Sequence, residues 1–443
     1  MPAKGYRIDD LLEREIRCEC GRVHRIRTRR VDIGPGAATR LPEHIRALPF
    51  AGRILLIADA NTWKAAGREA ADALMRAGLE TVCHVLPGEN IHADERAVGS
   101  VMLAAEPQPG LLVAVGSGSI NDLGRFCATR MGIPYLVLAT AASVDGYASD
   151  VTPVMRGGVK ITYPGIHPEI IAADPAVLAA APPAMLAAGL GDIIGKHTAR
   201  LDWLLAQTMT GESYCPFITG IVENALSNCV ALSVDMKPGD VAAARAVFEA
   251  LVLSGLGMQM QGNSRPASGS EHHIAHFLEM RDALRGRPPS LHGDKVGAAS
   301  LLVMRLYERF FQGGPPECAQ YLARTQEAGI RRAFGPIADD ILRGLPAPVS
   351  QSQWAAQLHG LAARWDFFRA EAAQLPALRA RYSAALRAAG GAASLNELGY
   401  CADDIRDALL FAWAVRPRFT ILSLLEGLGI LARLTGEVLD EQN

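Results

Sequence analysis

Three side chains in the second half of the sequence, Asp192, His272 and His292, have the chemical types of a catalytic metal site. Asp192 ends the apolar run 186–192, where burying an unpaired carboxylate would be costly, so it needs a positively charged partner. His272 and His276 lie one helical turn apart and can face one pocket, while His292 opens a later turn-plus-helix segment. One carboxylate and two imidazoles would leave coordination positions open for a substrate oxygen, as a catalytic metal requires.

Each member of this set also has a structural interpretation. Lys196 follows Asp192 by four residues, so the two can form an ion pair on one helix face. His197 and His273 show that histidines occur in this chain without any predicted role. The local sequence therefore leaves both the ion pair and the metal ligand open.

A glycine-containing turn at residues 116–122 is the second feature with chemical meaning. The apolar, strand-like run 111–115 leads directly into Gly116 and Gly118, and a helix is predicted to begin near Ser119. Glycines let the backbone approach a diphosphate, and the helix N-terminus offers free N–H groups. An ordinary strand-to-helix turn needs the same glycines, and the next one, Gly124, does not complete a strict Gly-x-Gly-x-x-Gly pattern.

Polar residues follow two other predicted strands. Asp59 comes after the run 54–58, where its carboxylate is placed to accept hydrogen bonds from an adenosine ribose, which would favour NAD over NADP. A helix cap before Thr62 is the alternative role for Asp59. The polar segment 140–149 follows a later strand, at the carboxyl edge of the sheet where ligands of open α/β sheets bind.

The spacing of apolar residues changes near the middle of the chain. Between residues 54 and 174, short apolar runs alternate with helical segments, which is typical of a parallel sheet covered by helices. Long Ala- and Leu-rich segments with helical periodicity follow, and the one at 351–388 is predicted to break near Pro376. We predict an α/β dinucleotide-binding domain with a parallel sheet at 1–178 and an all-α metal-binding domain at 179–443.

Bulk composition argues against several functional classes. The chain has 443 residues, 49% of them hydrophobic, which is enough for two cores. A net charge of −2 provides no broad field that would favour nucleic acid, and the arginines between 22 and 30 are interpreted as a solvated surface. Residues 1–15 lack the apolar core of a signal peptide, and the apolar stretch 419–434 is too short to cross a bilayer. We expect a cytoplasmic protein without a membrane span.

The eight cysteines are dispersed along the chain, unlike those of a disulfide framework. Cys18, Cys20 and His24 have the ligand types of a zinc site, but they lack the paired spacing of a zinc finger. We interpret them as residues without a metal.

Several of these segments together resemble the iron-containing alcohol dehydrogenase and dehydroquinate synthase superfamily, most closely its bacterial sn-glycerol-1-phosphate dehydrogenase branch. The similarity covers roughly residues 18–311, whereas 313–443 contains no obvious chemical motif. Its motifs are Cys18–Gly21, Gly116–Leu123, Ser143–Ser149, Gly191–Lys196, Asp202–Trp203 and Gly211–Pro216, of which the last two are the most specific to the branch.

The resemblance implies a nucleotide-binding domain, a helical metal domain and a cleft between them. It implies that Asp192, His272 and His292 bind one divalent ion, which is zinc, nickel or iron. Asp145 and His276 are implied to approach the substrate and Lys160 its phosphate, although Lys160 is equally interpretable as a solvated loop residue. Contacts with NAD or NADP are implied for Asp59, Gly116, Gly118, Ser119, Ile120, Asn121, Asp122, Thr140, Ser143 and Ser149.

The activity implied by the resemblance is the reversible NAD(P)H-linked reduction of dihydroxyacetone phosphate, a small phosphorylated substrate, to sn-glycerol 1-phosphate. His276 or Asp145 would pass a proton to the product oxygen, and the sequence does not rank them. A polyol dehydrogenase whose substrate has no phosphate and a lyase resembling dehydroquinate synthase stay open as alternatives. The resemblance also implies a homodimer.

Overall fold

A six-stranded parallel sheet dominates the first half of the chain in its computed structural model, which describes residues 6–88, 91–157, 159–288, 290–316, 321 and 326–440. The side chains of residues 159 and 160 lie outside this description. The sheet has the strand order β3-β10-β7-β6-β4-β5, and two antiparallel hairpins, β1-β2 and β8-β9, lie outside it. The strands are β1 Glu15–Arg17, β2 Val23–Arg25, β3 Arg30–Ile33, β4 Ile54–Asp59, β5 Thr81–Leu86, β6 Leu111–Gly116, β7 Tyr135–Ala139, β8 Val151–Arg156, β9 Val159–Pro164 and β10 Ile170–Ala173.

Helices cover the sheet and then form the whole of the described chain after β10. They are α1 Ala37–Arg46, α2 Ala60–Thr62, α3 Arg68–Arg76, α4 Glu95–Ala104, α5 Gly118–Met131, α6 Pro175–Ala180, α7 Pro183–Thr210, α8 Pro216–Ser233, α9 Val241–Gln261, α10 Ser270–Leu284, α11 His292–Gln312, α12 Glu327–Phe334, α13 Ala338–Gly344, α14 Gln351–Ala363, α15 Trp365–Ala388, α16 Ala402–Phe411, α17 Ile421–Gly427 and α18 Leu431–Asp440. A π-helical turn joins α2 to α3, and short 3₁₀ turns occur elsewhere, one of them at Asp145–Ala148.

The order of the strands predicts where a ligand would bind at the edge of the sheet. Strands β4, β6, β7 and β10 are nearly continuous apolar runs that are buried on both faces, as central parallel strands must be. The chain passes from β4 outward to β5 and then crosses back to β6, so the strand order reverses between β4 and β6. Asp59 and Gly116 end these two strands and therefore flank the topological switch point.

The helical half is built around α7, a 28-residue helix that packs against α8, α9 and α11. Pro183 starts this helix, and Gly211 ends it in the left-handed conformation at φ 73°. Helix α9 is long and apolar enough to cross a membrane on length and composition alone, but 72% of its most apolar window is buried within the protein. Such burial is usual for the core helix of a domain.

The predicted fold class is confirmed, with a parallel α/β sheet followed by an all-helical region. The predicted break at Pro376 is wrong, because α15 continues through this exposed proline and the interruption lies at Arg364. Ala372, Leu375 and Tyr382 keep one face of α15 packed on both sides of Pro376, which offsets the loss of a backbone hydrogen bond.

The hairpin β1-β2 contacts the helical half of the chain, where His24 Nδ1 lies 3.0 Å from the carbonyl of Met260. The first residues therefore do not pack solely with the sheet. The domain boundary at 178/179 stays a prediction.

Candidate metal and cofactor site

Three helices bring Asp192, His272 and His292 together. Asp192 lies in α7, His272 in α10 and His292 at the first residue of α11, and one ligand atom from each lies within 4.8 Å of the others. The Nε2 atom of His272 is 3.5 Å from Asp192 Oδ1, and the rings of His272 and His292 are 5.3 Å apart. Ligand atoms on one ion are roughly 3 to 4 Å apart, so this donor set fits a divalent cation.

Two glutamates orient the imidazoles toward that position. His272 Nδ1 lies 2.8 Å from Glu271 Oε1, and His292 Nδ1 lies 2.7 Å from Glu279 Oε1. Glu271 is itself held by the Thr198 hydroxyl at 2.7 Å and by the Gly269 amide at 2.6 Å. Because both Nδ1 atoms are engaged by carboxylates, both Nε2 atoms are directed to the shared space, as in metal-binding histidines.

Lys196 forms the ion pair with Asp192 that was considered as an alternative to metal binding. The pair lies within the same cluster as His272 and His292. Its Nζ atom is 2.7 Å from Asp192 Oδ1 and 2.7 Å from Asp145 Oδ2. Burial opposes the charge on Asp192, but the Lys196 ammonium and the two imidazoles hold the pKa of Asp192 well below its ordinary value. Burial also opposes the charge on Lys196, yet the two carboxylates raise its pKa above its ordinary value. Asp192 thus faces the ammonium and the histidines at once.

Glycines set the distance between α7 and α11. A Cβ atom built on Gly293 would lie 1.8 Å from the Ala188 oxygen, and one on Gly191 would lie 2.2 Å from the Gly293 oxygen. One turn farther along α11, a Cβ on Gly297 would lie 2.8 Å from Gly191 Cα. We call Gly191, Gly293 and Gly297 the glycine seam. It lies directly beside Asp192 and His292, so it fixes the separation of these two ligands.

His276 lies next to the metal set, where Glu279 also holds it. Its Nδ1 atom is 3.1 Å from Glu279 Oε2, and Arg416 Nη2 donates to its Nε2 atom at 3.3 Å. Burial and the Arg416 guanidinium hold the pKa of His276 well below its ordinary value. His276 is therefore a neutral imidazole with its N–H at Nδ1.

Sequence reasoning missed four residues of this cluster. The signals for Glu271 and Glu279 were present, since one precedes His272 directly and the other follows His276 by three residues. Nothing in the sequence linked Ser254, which donates to Asp145 Oδ2 at 3.0 Å, or Arg416, which lies 140 residues beyond His276.

The turn between β6 and α5 has the form of a phosphate cradle. A Cβ atom on Gly116 would lie 2.5 Å from Ile120 Cβ, and one on Gly118 would lie 3.1 Å from Val144 Cγ2, so both positions require close backbone packing. Ser117 precedes α5 in an extended conformation, and its side chain makes no capping hydrogen bond. The amides of the first helical turn are therefore free of a side-chain cap and fit an anionic diphosphate.

The other residues predicted to contact the cofactor lie on the same edge of the sheet. Asp59 Oδ1 accepts hydrogen bonds from the amides of Asn61 at 2.9 Å and Thr62 at 2.8 Å, so the structure shows the helix-cap role, and the ribose contact stays a prediction. Ile120 is fully buried beneath Gly116, and its side chain serves packing. The remaining predicted contacts are in the first turn of α5 (Ser119, Asn121, Asp122) or in the segment after β7 (Thr140, Ser143, Ser149).

Lys160 belongs to β9 by its backbone, paired with Met155 of β8. Its side chain lies outside the described part of the chain. Its predicted contact with a phosphate therefore stays a prediction.

A fully buried arginine lies between the phosphate cradle and the three candidate metal ligands. Arg125 of α5 donates to the carbonyls of Gly146 at 2.5 Å, Tyr147 at 3.1 Å and Val151 at 3.0 Å, and to the Tyr135 hydroxyl at 2.8 Å. The adjoining Asp145 amide donates to Asp192 Oδ2 at 2.9 Å. Helix α5, which begins at the cradle, is thus linked by hydrogen bonds to the candidate metal ligand Asp192 through the 3₁₀ turn at 145–148.

Comparison with known proteins places this geometry in context. The family described as iron-containing alcohol dehydrogenase matches residues 32–182. Glycerol-1-phosphate dehydrogenase [NAD(P)+] of Halalkalibacterium halodurans is 36% identical over 295 residues, which are 66% of this chain and 74% of that protein. The enzyme of the same name from Bacillus subtilis is 31% identical over 403 residues, 90% of this chain and 91% of the relative. The resemblance noted in the sequence is confirmed by these matches.

Solved structures with the same fold are more distant in sequence. Glycerol dehydrogenase of Schizosaccharomyces pombe superposes with a TM-score of 0.58 at 16% identity, covering 93% of this chain and 91% of that chain. NADH-dependent butanol dehydrogenase A of Thermotoga maritima gives a TM-score of 0.58 at 16% identity and covers 92% of this chain and 97% of that chain. At this level of identity, the similarity concerns the fold alone.

Proposed function

This chain belongs to the glycerol-1-phosphate dehydrogenase family of the iron-containing alcohol dehydrogenase type, and on that premise we propose that it reversibly reduces dihydroxyacetone phosphate to sn-glycerol 1-phosphate. The observation that carries the proposal is the meeting of Asp192, His272 and His292 in a cluster joined to a phosphate cradle through Arg125. Such a cluster has the donor set of an open, catalytic metal site.

In this proposal Asp192, His272 and His292 hold a divalent ion, which would polarise the ketone oxygen while NADH or NADPH supplies the hydride. Glu271 and Glu279 keep the two ligand imidazoles in the orientation that leaves Nε2 available. Lys196 and Ser254 fix the Asp145 carboxylate by contacts of 2.7 Å and 3.0 Å. The nicotinamide cofactor is held by the cradle at 116–122 and by the segment after β7.

His276 is suited to carry the proton of the reacting hydroxyl. Its Nδ1–H points to Glu279, and its Nε2 atom accepts a hydrogen bond from Arg416, which the substrate hydroxyl would replace when Arg416 turns to the substrate. In the oxidation direction Nε2 accepts the proton of the alcohol, and in the reduction direction it returns that proton to the product oxygen. Asp145 is the less suitable proton donor, since its carboxylate is paired with the Lys196 ammonium.

Positive charge beside His276 supports a substrate with a phosphate group. Within the described chain, Arg416 has a hydrogen bond to His276 but no ion-pair contact with a carboxylate, since Glu279 acts on it only at longer range. Arg418 adds a second positive charge nearby. A substrate phosphate would supply the missing anion in bidentate geometry. We propose Arg416, together with Lys160, as a phosphate-binding residue.

The phosphate assignment is tested by comparing two ketones. Arg416→Ala and Lys160→Ala should each raise the KM for dihydroxyacetone phosphate by about tenfold or more. Both variants should leave the KM for unphosphorylated dihydroxyacetone nearly unchanged. Arg433→Ala is the matched control, because Arg433 is exposed and pairs with Glu437 on its own helix. Equal effects on both ketones would exclude the phosphate role.

The activity itself is tested with the full-length chain loaded with zinc, nickel or iron. Incubation with NADH and dihydroxyacetone phosphate should consume NADH and yield the sn-glycerol 1-phosphate enantiomer. Turnover confined to unphosphorylated ketones would instead indicate a polyol dehydrogenase. Accumulation of NADH from sn-glycerol 1-phosphate in the reverse direction would exclude a lyase, in which NAD is reduced and reoxidised within each turnover.

We infer in addition that the enzyme is a cytoplasmic homodimer without nucleic-acid partners. Light scattering on the purified protein should give twice the chain mass of 47.2 kDa. A monomeric mass at assay concentration would reject the dimer.

A further inference from the structure

A second group of metal-binding side chains is separate from the proposed catalytic ligands and draws most of its members from the start of the chain. Cys18 and Cys20 occupy the turn of the β1-β2 hairpin, His24 lies in β2, and Cys215 immediately precedes α8. One ligand atom from each of the four lies within 4.8 Å of the others. The sequence interpretation, that Cys18, Cys20 and His24 have no metal, was made without Cys215, which supplies the fourth ligand.

Three distances in this group are close to the edges of a tetrahedral metal site. Cys18 Sγ lies 3.5 Å from Cys215 Sγ, while His24 Nε2 lies 3.3 Å from Cys20 Sγ and 3.3 Å from Cys215 Sγ. Zinc with bonds of about 2.3 Å to sulfur and 2.0 Å to nitrogen has tetrahedral edges of roughly 3.4 to 3.8 Å. These three of the six separations are thus already close to the distances that a bound ion would impose, and the other three are within 4.8 Å.

The surroundings of His24 favour a metal over a set of independent thiols. His24 is 1% exposed, and its Nδ1 atom lies 3.0 Å from the Met260 carbonyl. This contact engages Nδ1 and directs Nε2 at the sulfurs, which is the usual arrangement for a ligating histidine. The Cys20 amide also points at Cys18 Sγ, 3.5 Å away.

A disulfide explains the group less well. Its sulfur atoms would be about 2.05 Å apart, whereas those of Cys18 and Cys215 are 3.5 Å apart. A disulfide between these two would also leave Cys20 and the oriented lone pair of His24 without a role.

We propose that Cys18, Cys20, His24 and Cys215 bind a structural zinc ion that is separate from the ion at Asp192, His272 and His292. Four protein ligands fill a tetrahedral shell and leave no open position for substrate, which is the property of a structural site. Three thiolates favour zinc over the harder ions that oxygen-rich sites select.

The proposed ion would tie the N-terminal hairpin to the helical half of the protein. Ligands from residues 18–24 and from residue 215 would be held at one point, next to the end of α9. Gln259, beside Met260, donates to the Ala148 carbonyl at 2.6 Å and to Thr28 Oγ1 at 2.9 Å. The ion would therefore stabilise the contacts that support the turn carrying Asp145, without taking part in the chemistry.

The test is X-ray absorption at the zinc edge combined with metal analysis of the full-length protein. Because the proposed catalytic ligands are oxygen and nitrogen, a zinc–sulfur shell near 2.3 Å reports only on the cysteine cluster. His292→Ala should keep this shell with about three sulfurs, even if its activity is lost. This variant separates failure of the zinc proposal from failure of the proposed function.

Three cysteine variants complete the test. Cys215→Ser should lose about one zinc per chain together with the sulfur shell, and Cys215→His should regain the zinc with two sulfurs. Cys401→Ser, which removes an exposed cysteine outside the cluster, should keep the full zinc content. Absence of a zinc–sulfur shell from wild-type protein would overturn the proposal, and so would a Cys18–Cys215 disulfide found by mass spectrometry. If Cys215→Ser does not fold, treatment of folded His292→Ala with a mercurial should release its one zinc per chain, and retention of the zinc after the thiols are blocked also overturns the proposal.

Discussion

The glycine seam makes the separation of two metal ligands sensitive to a single methyl group. Gly293→Ala places a Cβ atom 1.8 Å from the Ala188 oxygen, a backbone atom that no rotamer change can move. Gly191→Ala meets the Gly293 oxygen at 2.2 Å, and Gly297→Ala meets Gly191 Cα at 2.8 Å. The three variants therefore push α7 and α11 apart by decreasing amounts.

The size of the effect follows from the overlap. Cβ atoms essentially never approach other heavy atoms within 3.0 Å, so relief requires movements of about 1.2 Å for Gly293, about 0.8 Å for Gly191 and about 0.2 Å for Gly297. Metal sites tolerate errors of only about 0.2 Å in ligand distance. A misplacement of 1 Å costs on the order of a hundredfold in activity. We expect metal affinity to fall about a hundredfold in Gly293→Ala, less in Gly191→Ala and a few-fold at most in Gly297→Ala.

Affinity is measured by competition with a chelator of known strength on protein stripped of metal and shown by circular dichroism to be folded. Gly220→Ala is the control, because a Cβ at this position in α8 meets nothing within 4 Å. That substitution should leave metal affinity unchanged and raise the free energy of unfolding by up to about 1 kcal/mol.

The order of the three losses in metal affinity tests whether the glycine seam sets the distance between Asp192 and His292. If folded Gly293→Ala binds metal as tightly as wild type, the seam does not set the ligand distance. An equal loss in all three seam variants would point to general destabilisation instead of helix separation. If Gly293→Ala does not fold, the comparison of Gly191→Ala with Gly297→Ala still decides the question.

Three further predictions concern other sites. Glu279→Ala should weaken metal binding 10- to 100-fold by releasing His292 Nδ1, as measured by chelator competition, and unchanged affinity would contradict the orienting role. Asp59→Asn should raise the KM for NADH about tenfold at unchanged thermal stability, because Asn keeps the helix cap while the negative charge proposed to face the ribose is lost. An unchanged KM for NADH would show that Asp59 serves only as the helix cap. Asp404→Asn should lower the free energy of unfolding by about 2 kcal/mol at pH 7, since Asp404 accepts hydrogen bonds from Arg281 at 3.1 Å and Arg285 at 2.7 Å. Burial raises the pKa of Asp404, but these arginines bring it below its ordinary value. The stabilisation that the ionised Asp404 carboxylate provides is therefore complete above the unfolded-state pKa of about 4, and it is lost as the pH falls through the folded-state pKa. Urea unfolding should show a smaller difference at pH 3 than at pH 7, and a pH-independent difference would contradict the ionic origin.

The elements of the sheet could be predicted because each central strand is a continuous apolar run. The strand-like runs 54–58 and 111–115 each begin where the observed strand begins and end one residue short of it. Burial on both faces leaves a strong local signal in such strands. The β8-β9 hairpin was not predicted, because β8 contains Pro153 and its apolar residues do not alternate strictly with polar ones.

The site was predictable where its chemistry was local. Asp192, His272 and His292 each stand in a recognisable segment, and the structure brings all three together. In the sequence, metal binding and an ion pair with Lys196 are alternative roles for Asp192. The structure instead places Lys196 and His272 around the same carboxylate. Only the packing of α7 against α10 shows that both contacts coexist.

Residues supplied from distant segments could not be found from spacing. Cys215 follows Cys20 by 195 positions, so no motif of metal-ligand spacing connects them. Arg416 comes from a region that contains no chemical motif, yet it contacts His276. These contacts arise from tertiary packing, which one sequence does not encode in a local pattern.

The hydrogen bonds of Arg125 have a consequence for how the two halves of the molecule respond to each other. The Arg125 guanidinium, which belongs to α5, donates hydrogen bonds to three carbonyl groups in or next to the turn at 145–148. Asp145 in that turn contacts both Asp192 and Lys196. If a dinucleotide binds at the N-terminus of α5 as proposed, a tilt of this helix would also displace the Asp145 carboxylate through these hydrogen bonds. The alignment of the substrate would then be coupled mechanically to the presence of the coenzyme.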